Sequence, residues 1–524
     1  MTKIENPVTI VQVTGGQSEP ESEATLTSYD RATGVITGTG LGTTGTLYML
    51  DRATHSYVSQ PTSSWSNTSI TLTTPLDLAN LEGTTSIVAV TDGKYSTKLL
   101  ITGDIAVTGW AKVYVRDSET RVVRTIAITT QTDFNKLSNN VSNANSPSAA
   151  ITINSDTFYL DEIVGIQFGS DITATALTSQ GTAYHFLPYA NNLNQPVVLP
   201  NVITEIPTYF GYSWVNFNQP LVLSENIAVL PQNFMTNAFS FNQPIDLSHI
   251  VTVGNNVFRY AWAFNQPIDL SSVTTIGEYF IQGYYYSSSG VRSMSFNSEI
   301  KFRDLTSIGR NFLDMCCAFN QPISFPSTLS SIGTNFMDRC SSFNKPLDLS
   351  GTAITAIPDY FLHECCSFNS EFKFPSGLTT IGDYCLNCYS FNQPITIPAT
   401  VTTIGNFFMY TAQAFNLPIS IPEGVTSIGT YCLAYNTSLN QKVTLPSTVT
   451  SFGSYICYCS YGVCEVEVNT TTYPTNGPQY ALSTTYNGAK MYVKGVTLTG
   501  LGASAWKSGL VNRTSSPYRK LILG

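Results

Sequence analysis

Several residue sets in this chain have the types and spacing that could do chemistry. Cys385 and Cys388 stand three positions apart, the spacing of a zinc clip or a dithiol redox pair. Nine more cysteines accompany them: Cys316, Cys317, Cys340, Cys365, Cys366, Cys432, Cys457, Cys459 and Cys464. Eleven is an odd number, so at least one thiol is free, which suits synthesis in a reducing compartment. Asp246 and Asp269 stand at equivalent places in two copies of one motif, as a carboxylate pair for glycoside hydrolysis could. A two-copy coincidence explains them equally well. The four histidines, His55, His185, His249 and His363, belong to no nucleophile motif. The glycines of Thr37-Gly38-Thr39-Gly40-Leu41-Gly42 are not followed by the lysine and helix of a phosphate cradle, and read as turns needing positive φ. We therefore expect no enzyme activity, no metal and no cofactor.

What must position these residues is a repeat. Phe-Asn-Gln-Pro-Ile-Asp-Leu at 241–247 returns at 264–270 and, altered, at 391–397. With the Asn as marker, the copies fall at Asn194, Asn218, Asn242, Asn265, Asn297, Asn320, Asn344, Asn369, Asn392, Asn416 and Asn440. Their spacing is 24, 24, 23, 32, 23, 24, 25, 23, 24 and 24 residues, the mark of stacked units. Within a unit, Ile395-Thr396-Ile397 alternates as a short strand ended by Pro398. The Ile404-Gly405 piece reads as a turn leading into a short helical segment.

Columns follow from the period. Eight residues before the marker stand Phe186, Phe210, Phe234, Phe312, Phe336, Phe361, Tyr384 and Phe408, read as a buried aromatic ladder. Four before it stand small residues, among them Cys316, Cys340, Cys365 and Cys388, which makes Cys385-x-x-Cys388 part of the ladder pattern rather than a metal clip. Whether neighbours such as Cys316 and Cys340 lie close enough to oxidise is a matter of geometry. The markers Asn218, Asn242, Asn265, Asn320, Asn344 and Asn392 read as a structural ladder, since an amide can satisfy backbone groups at a repeated turn. The text from Ile397 to Cys432, "IPATVTTIGNFFMYTAQAFNLPISIPEGVTSIGTYC", resembles a leucine-rich repeat of the BspA type. The "SFNQPI" signature also resembles a repeat in bacterial and mycoplasmal surface proteins. The resemblance implies a parallel solenoid used for adhesion or recognition, with no shared active site.

Taken in order, residues 1–22 read as an N-terminal arm. Met1–Gly16 lacks a long apolar stretch, so we read no secretory signal there. A mature chain separated from its signal, or one that leaves on a particle or by lysis, fits equally. Residues 23–105 carry short alternating strands with Gly, Ser and Asn turns, the pattern of a β-sandwich. They resemble the IPT/TIG type of immunoglobulin-like domain in Ile36-Thr37-Gly38-Thr39-Gly40-Leu41-Gly42 and in Trp65-Ser66-Asn67-Thr68-Ser69-Ile70. Residues 106–171 form a small β module capping the solenoid, with outward Val198 and Val222 of the first repeats beneath what precedes them. Residues 172–464 are the repeats, and 465–524 a C-terminal cap of strand and short helix. The fold class is mainly β: an Ig-like sandwich, then a solenoid of about eleven units with end caps.

For function, composition excludes some classes. A net charge of −9 and 11% charged residues argue against nucleic acid and anionic membranes as partners. No apolar run is long enough for membrane insertion. The long repeat spacing contains Tyr284-Tyr285-Tyr286 and Ser287-Ser288-Ser289-Gly290, the composition of a binding loop. Outward strand positions Asp246, Asp269, Lys301, Asp348 and Lys373 make a second candidate ligand face. The expected function is a non-enzymatic virion surface protein of a bacteriophage: a fibre, baseplate or head decoration made in the host cytoplasm. Its N-terminal half would contact other virion proteins, its solenoid a host surface protein or glycan, and homo-oligomers are compatible with it. The alternative is a BspA-like adhesin at the bacterial cell surface, and a carbohydrate-active enzyme is a minor one.

Overall fold

The computed structural model describes residues 24–458, except 93, 141–149, 178–183, 287–289 and 293, together with the strands Lys3–Ile4, Glu465–Val468, Lys490–Val493 and Lys520–Leu523. The chain is nearly all β, and its repeats form a β-solenoid of about ten turns. It divides into two compact units, Met1–Ile250 with Val257–Ile268, and Val251–Asn256 with Asp269–Gly524.

The first unit begins with two antiparallel sheets. One holds Ser56–Gln60, Thr46–Asp51, Thr84–Thr91 and Leu99–Thr102. The other holds Thr25–Asp30, Val35–Thr39, Ser69–Leu72 and Thr62–Trp65. Period-2 alternation sends Leu26, Ile36, Leu47, Ile70, Ile87 and Ile101 into one core between them. Within the expected arm, Lys3–Ile4 is a strand on the Ser56–Gln60 edge. Gly40 and Gly42 take positive φ, as turn glycines should.

A three-stranded antiparallel sheet follows, with Ala111–Arg116 between Val123–Ile128 and Ile163–Phe168. The short helix Gln131–Asn135, capped by the Thr130 hydroxyl, places Phe134 against Trp110, Phe168 and Phe186. Phe186 then stacks on Phe210 at 6.4 Å, so this cluster runs into the buried ladder of the first turns.

The turns of the solenoid contribute to two sets of parallel strands, the first of them interrupted at 245–247, 323–325 and 395–397. The first is the expected Ile-x-Ile strand where it forms; Ile419–Ser420 pairs with Val443–Leu445, and the ribbon continues through Glu465–Val468, Lys490–Val493 and Lys520–Leu523. Ile395, Thr396 and Ile397, read from the sequence as such a strand, form none. The short helix expected near the C-terminus lies outside the described residues. The second ribbon is the piece read as a turn: Ala356–Ile357, Thr380–Ile381, Thr403–Ile404, Ser427–Ile428 and Ser451–Phe452 pair in parallel. Gly405 follows its strand because a Cβ there would lie 2.5 Å from Asp383 and 2.6 Å from the backbone of Gly382 in the preceding turn.

The helical segment expected after this glycine is not a helix. Alternate residues have left-handed φ: Phe407 at 58°, Met409 at 50° and Thr411 at 57°. Their N–H groups donate to neighbouring turns in alternate directions, to Thr430 O at 2.8 Å, Cys385 O at 2.9 Å and Ala434 O at 2.9 Å. A helix would spend those donors within the turn, whereas a solenoid needs them between turns.

Side chains add ladders. The marker Asn Oδ1 accepts the backbone N–H of the next marker, from Asn194 to Asn265 in the first unit and from Asn297 to Asn440 in the second, at 2.7–3.0 Å. A second ladder, unforeseen, runs after the glycine column through Asp359, Asp383, Asn406, Thr430 and Ser454.

The Gln of the signature holds the sandwich against the first turns, within the first unit. Gln195 accepts from Arg52 Nη1 at 2.9 Å and its amide lies 3.1 Å from His55 Nδ1. Gln219 donates to the Tyr57 hydroxyl and accepts from Ser86 Oγ, both at 2.7 Å. Gln243 Oε1 accepts the Lys98 N–H at 2.7 Å, and Lys98 Nζ donates to Asn218 O. Burial pushes Lys98 down to about 7, Arg52 down to about 10 and Tyr57 up to about 12. His55, also buried and facing Arg116 and Arg52, falls to about 4. Val222, expected under the preceding module, is instead 40% exposed. Strand alternation turns it outward, and buried amides do the docking.

Candidate functional site

The charged positions of the first ribbon are exposed, but their charges are spent locally. Asp246, Asp269 and Asp348 each accept the N–H of the Ser two residues on, Ser248, Ser271 and Ser350, at 2.9 Å. These are Asx turns. The Ser271 and Ser350 side chains, and after them these N–H groups, hold Asp269 and Asp348 below the usual carboxylate range. Lys373 Nζ lies 3.2 Å from Asp348 and 3.4 Å from Glu371, and Lys301 lies 3.8 Å from Glu299. Aspartates that cap turns and lysines paired to neighbours offer little free charge to a ligand.

Tyr284–Tyr286 pairs antiparallel with Gly290–Arg292 as a β-hairpin. Its side chains and Ser287–Ser289 lie outside the described residues. The cysteine column is buried: Cys316, Cys340, Cys365 and Cys388 donate to carbonyls of the preceding turn, Ile281, Leu313, Met337 and Leu362, at 2.8–3.1 Å. Trp214, which breaks this column in sequence, donates its indole N–H to the equivalent carbonyl of Leu187 at 2.8 Å. Burial raises the Cys316, Cys340 and Cys365 thiols well above their ordinary range, which makes them inert. Cys385 is also buried, and no metal-binding group of three His, Cys, Asp or Glu occurs among the described residues. Cys459 and Cys464 lie outside them.

An aromatic face that the sequence reading missed occupies the second unit. Tyr360, Tyr384, Phe407, Tyr431 and Tyr455 stack along five consecutive turns, at 4.8, 4.3, 5.2 and 4.6 Å and within 11° of parallel. Tyr384 is in this outward column; Cys385 takes the buried place assigned to it, because the turn to Asn392 is one residue short. Across the stack lie Tyr410, Tyr435 and Tyr458, tilted 75–76° to one another at 5.3 and 5.4 Å. Tyr360 is 36% exposed and the others are half-buried.

Each residue of the stack has left-handed φ, from 57° to 65°. A Cβ makes that conformation cost roughly 1–2 kcal/mol, and Asn tolerates it best. Asn233, Asn256, Asn311 and Asn335 occupy the same column in other turns, and Tyr209 and Tyr279 in two more. From Tyr360 onward a bulky ring stands where Asn suits the backbone better. Stacking returns about 0.5–1.5 kcal/mol per pair. The signal available in sequence was the residue before the buried column, aromatic in five successive units.

Two parallel ribbons, a 24-residue turn and an Asn ladder define a leucine-rich-repeat solenoid. Residues 281–415, 355–481 and 408–504 match the family described as BspA type leucine rich repeat region, in six copies. Residues 281–504 thus carry a BspA-type leucine-rich repeat region. Among solved structures, a leucine-rich cell surface protein of Faecalibacterium prausnitzii A2-165 is 14% identical, over 47% of this chain and 78% of its own, with a TM-score of 0.28. A leucine-rich repeat protein of Bacteroides ovatus ATCC 8483 is 14% identical, over 70% and 94%, with a TM-score of 0.29. No curated protein matches.

Proposed function

We propose that this chain is a non-enzymatic surface adhesion protein whose solenoid recognises a neutral glycan through the aromatic column from Tyr360 to Tyr455. The observation that carries this reading is the column itself: five rings held at a backbone conformation that favours Asn. Phenol hydroxyls once per turn, crossed by the tilted rings of Tyr410, Tyr435 and Tyr458, suit the hydroxyls and C–H faces of a sugar chain. Around its last three rings, between 400 and 458, the only charged residues are Glu423 and Lys442, which fits a neutral rather than an acidic polymer at that end; Glu364, Glu371, Lys373 and Asp383 lie among the first two rings. The sandwich at the N-terminal end, of immunoglobulin-like type in this reading, serves attachment.

The narrower form of the proposal is display on a bacteriophage particle; display on a bacterial cell is the other. The column of reduced, buried thiols favours folding in a reducing cytoplasm before display, as a virion protein would.

The test is a panel of immobilised neutral and acidic oligosaccharides, probed with the wild type and a variant with Phe407→Asn, Tyr431→Asn and Tyr455→Asn. Asn suits the backbone there, so the thermal midpoint should hold within a few degrees while binding to neutral glycans falls at least about tenfold. Equal binding by both would remove the column from the function. Peptide mass spectrometry across a density gradient separates the two displays, by recovery in the particle band or in the cell envelope.

A further inference from the structure

One buried polar column has no part in that reading. In the second unit Gln282, Asp314, Asp338, His363 and Asn387 follow one another at equivalent places in successive turns, and all are buried. Asp338 is satisfied: His363 Nδ1 lies 2.8 Å from its Oδ1, and Arg339 Nη1 lies 3.5 Å from its Oδ2. Arg339 also donates to Glu364 at 2.8 Å.

Asp314 differs. Its Oδ2 accepts two bonds, from Gln282 Nε2 at 2.8 Å and Asn311 Nδ2 at 2.7 Å. Its Oδ1 is buried without a partner, and so is Oε1 of the same Gln282. Asp314 is 3% exposed and Gln282 8%. Two orphan acceptors on groups already joined by one N–H···O bond are the pattern of an amide facing a carboxylic acid. One proton on Oδ1 turns that oxygen into a donor and gives Gln282 Oε1 its bond.

We infer that Asp314 is a proton-binding site, held as the neutral acid in a reciprocal pair with Gln282 and ionised only at the expense of the stack. The groups facing it agree. Asp338 on the following turn is a second buried carboxylate, and the Cys316 and Cys340 thiols are buried beside it. Arg339 is the cation that acts on Asp314 in the opposite sense, and it is shared with Asp338 and Glu364. Burial, with Asp338 adding to it, pushes Asp314 up to about 6. A metal ion is the weaker occupant, since Asp338 is already engaged and no three-ligand group is present among the described residues.

The sign follows. Between about pH 4 and 6 the folded chain holds a proton that the unfolded chain has released, so stability falls as pH rises through that window. The experiment compares full-length wild type with Asp314→Asn, whose amide mimics the neutral acid. From pH 5 to 7.5 the wild-type thermal midpoint should drop by about 1–3 °C more than that of the variant. Infrared titration of the wild type gives a readout independent of whether the variant folds. A carboxylic C=O stretch should persist above pH 5, where exposed carboxyls have ionised. Absence of that band, or parallel midpoint curves for a folded variant, would overturn the assignment. So would millimolar calcium or magnesium raising the wild-type midpoint at pH 7.5 but not that of Asp314→Asn, which would give the orphan oxygens to a cation.

Discussion

The signature Gln does different work beneath the sandwich and beyond it; Gln266, still in the first unit, already donates to the marker Asn242 at 3.0 Å. Gln195, Gln219 and Gln243 of the first unit are buried and bond to the sandwich. Gln321, Gln393 and Gln441 of the second are half-buried; the first two donate to the marker Asn of the preceding turn, at 3.3 and 3.2 Å. The residue and its position in the turn are the same. What differs is what covers it. A solenoid repeat therefore specifies a place, and the neighbour at that place decides whether an amide docks another module or only decorates a ladder.

The largest effect should come from removing a docking amide. Gln219→Leu leaves the Tyr57 hydroxyl and Ser86 Oγ buried with fewer partners, at a cost of about 2–4 kcal/mol. Gln393→Leu, at the same place in a later turn, should change stability by no more than about 0.5 kcal/mol. Urea unfolding of both variants reads the difference. Similar losses would mean that the amide serves the turn itself and that cover is irrelevant.

That contrast also marks what could be read from the chain alone. The period, the marker Asn ladder and the buried Phe column were legible because the text recurs and each unit is too small to bury its own apolar face. The second ribbon was not, since two residues such as Thr403–Ile404 before a Gly look like a turn. The left-handed alternation was hidden because nothing in Tyr, Met or Leu signals positive φ; it arises from backbone donors shared between turns. Tyr384 was misplaced by counting back from Asn392 across a 23-residue turn. The docking role of Gln195, Gln219 and Gln243 could not be seen, as Gln393 has the same sequence context. Of the candidate site, Asp246, Asp269 and Asp348 were correctly placed outward, but their Ser partners two residues on reveal turn caps.

The buried cation beneath the sandwich gives an intermediate, pH-dependent effect. Lys98 in the folded chain lies near 7, whereas an exposed lysine lies near 10.4. Between those values the unfolded chain binds the proton that the folded chain has lost, so stability rises with pH. From pH 7 to 9 the gain should be about 1–3 kcal/mol in the wild type and absent in Lys98→Met. Parallel pH profiles would place Lys98 in contact with water and weaken the case for a dry interface at the first turns.

The smallest effect tests whether the two units share anything at all. Each unit has its own run of marker Asn bonds, and in the second Asn320 accepts the Asn344 N–H at 2.9 Å from a half-buried position. Asn344 is exposed, so water can replace the lost acceptor. Asn320→Ala should therefore cost only about 1 kcal/mol, the net worth of one hydrogen bond, rather than the larger penalty of an orphaned buried donor. Asn218 is the sharper partner experiment. Its Oδ1 accepts from both Asn242 N and Gln243 Nε2, and Gln243 in turn holds Lys98. Asn218→Ala should cost about twice as much as Asn320→Ala when the two are unfolded in parallel. Equal costs would mean that the ladder is uniform along the chain and that the cover over the first turns adds nothing to it.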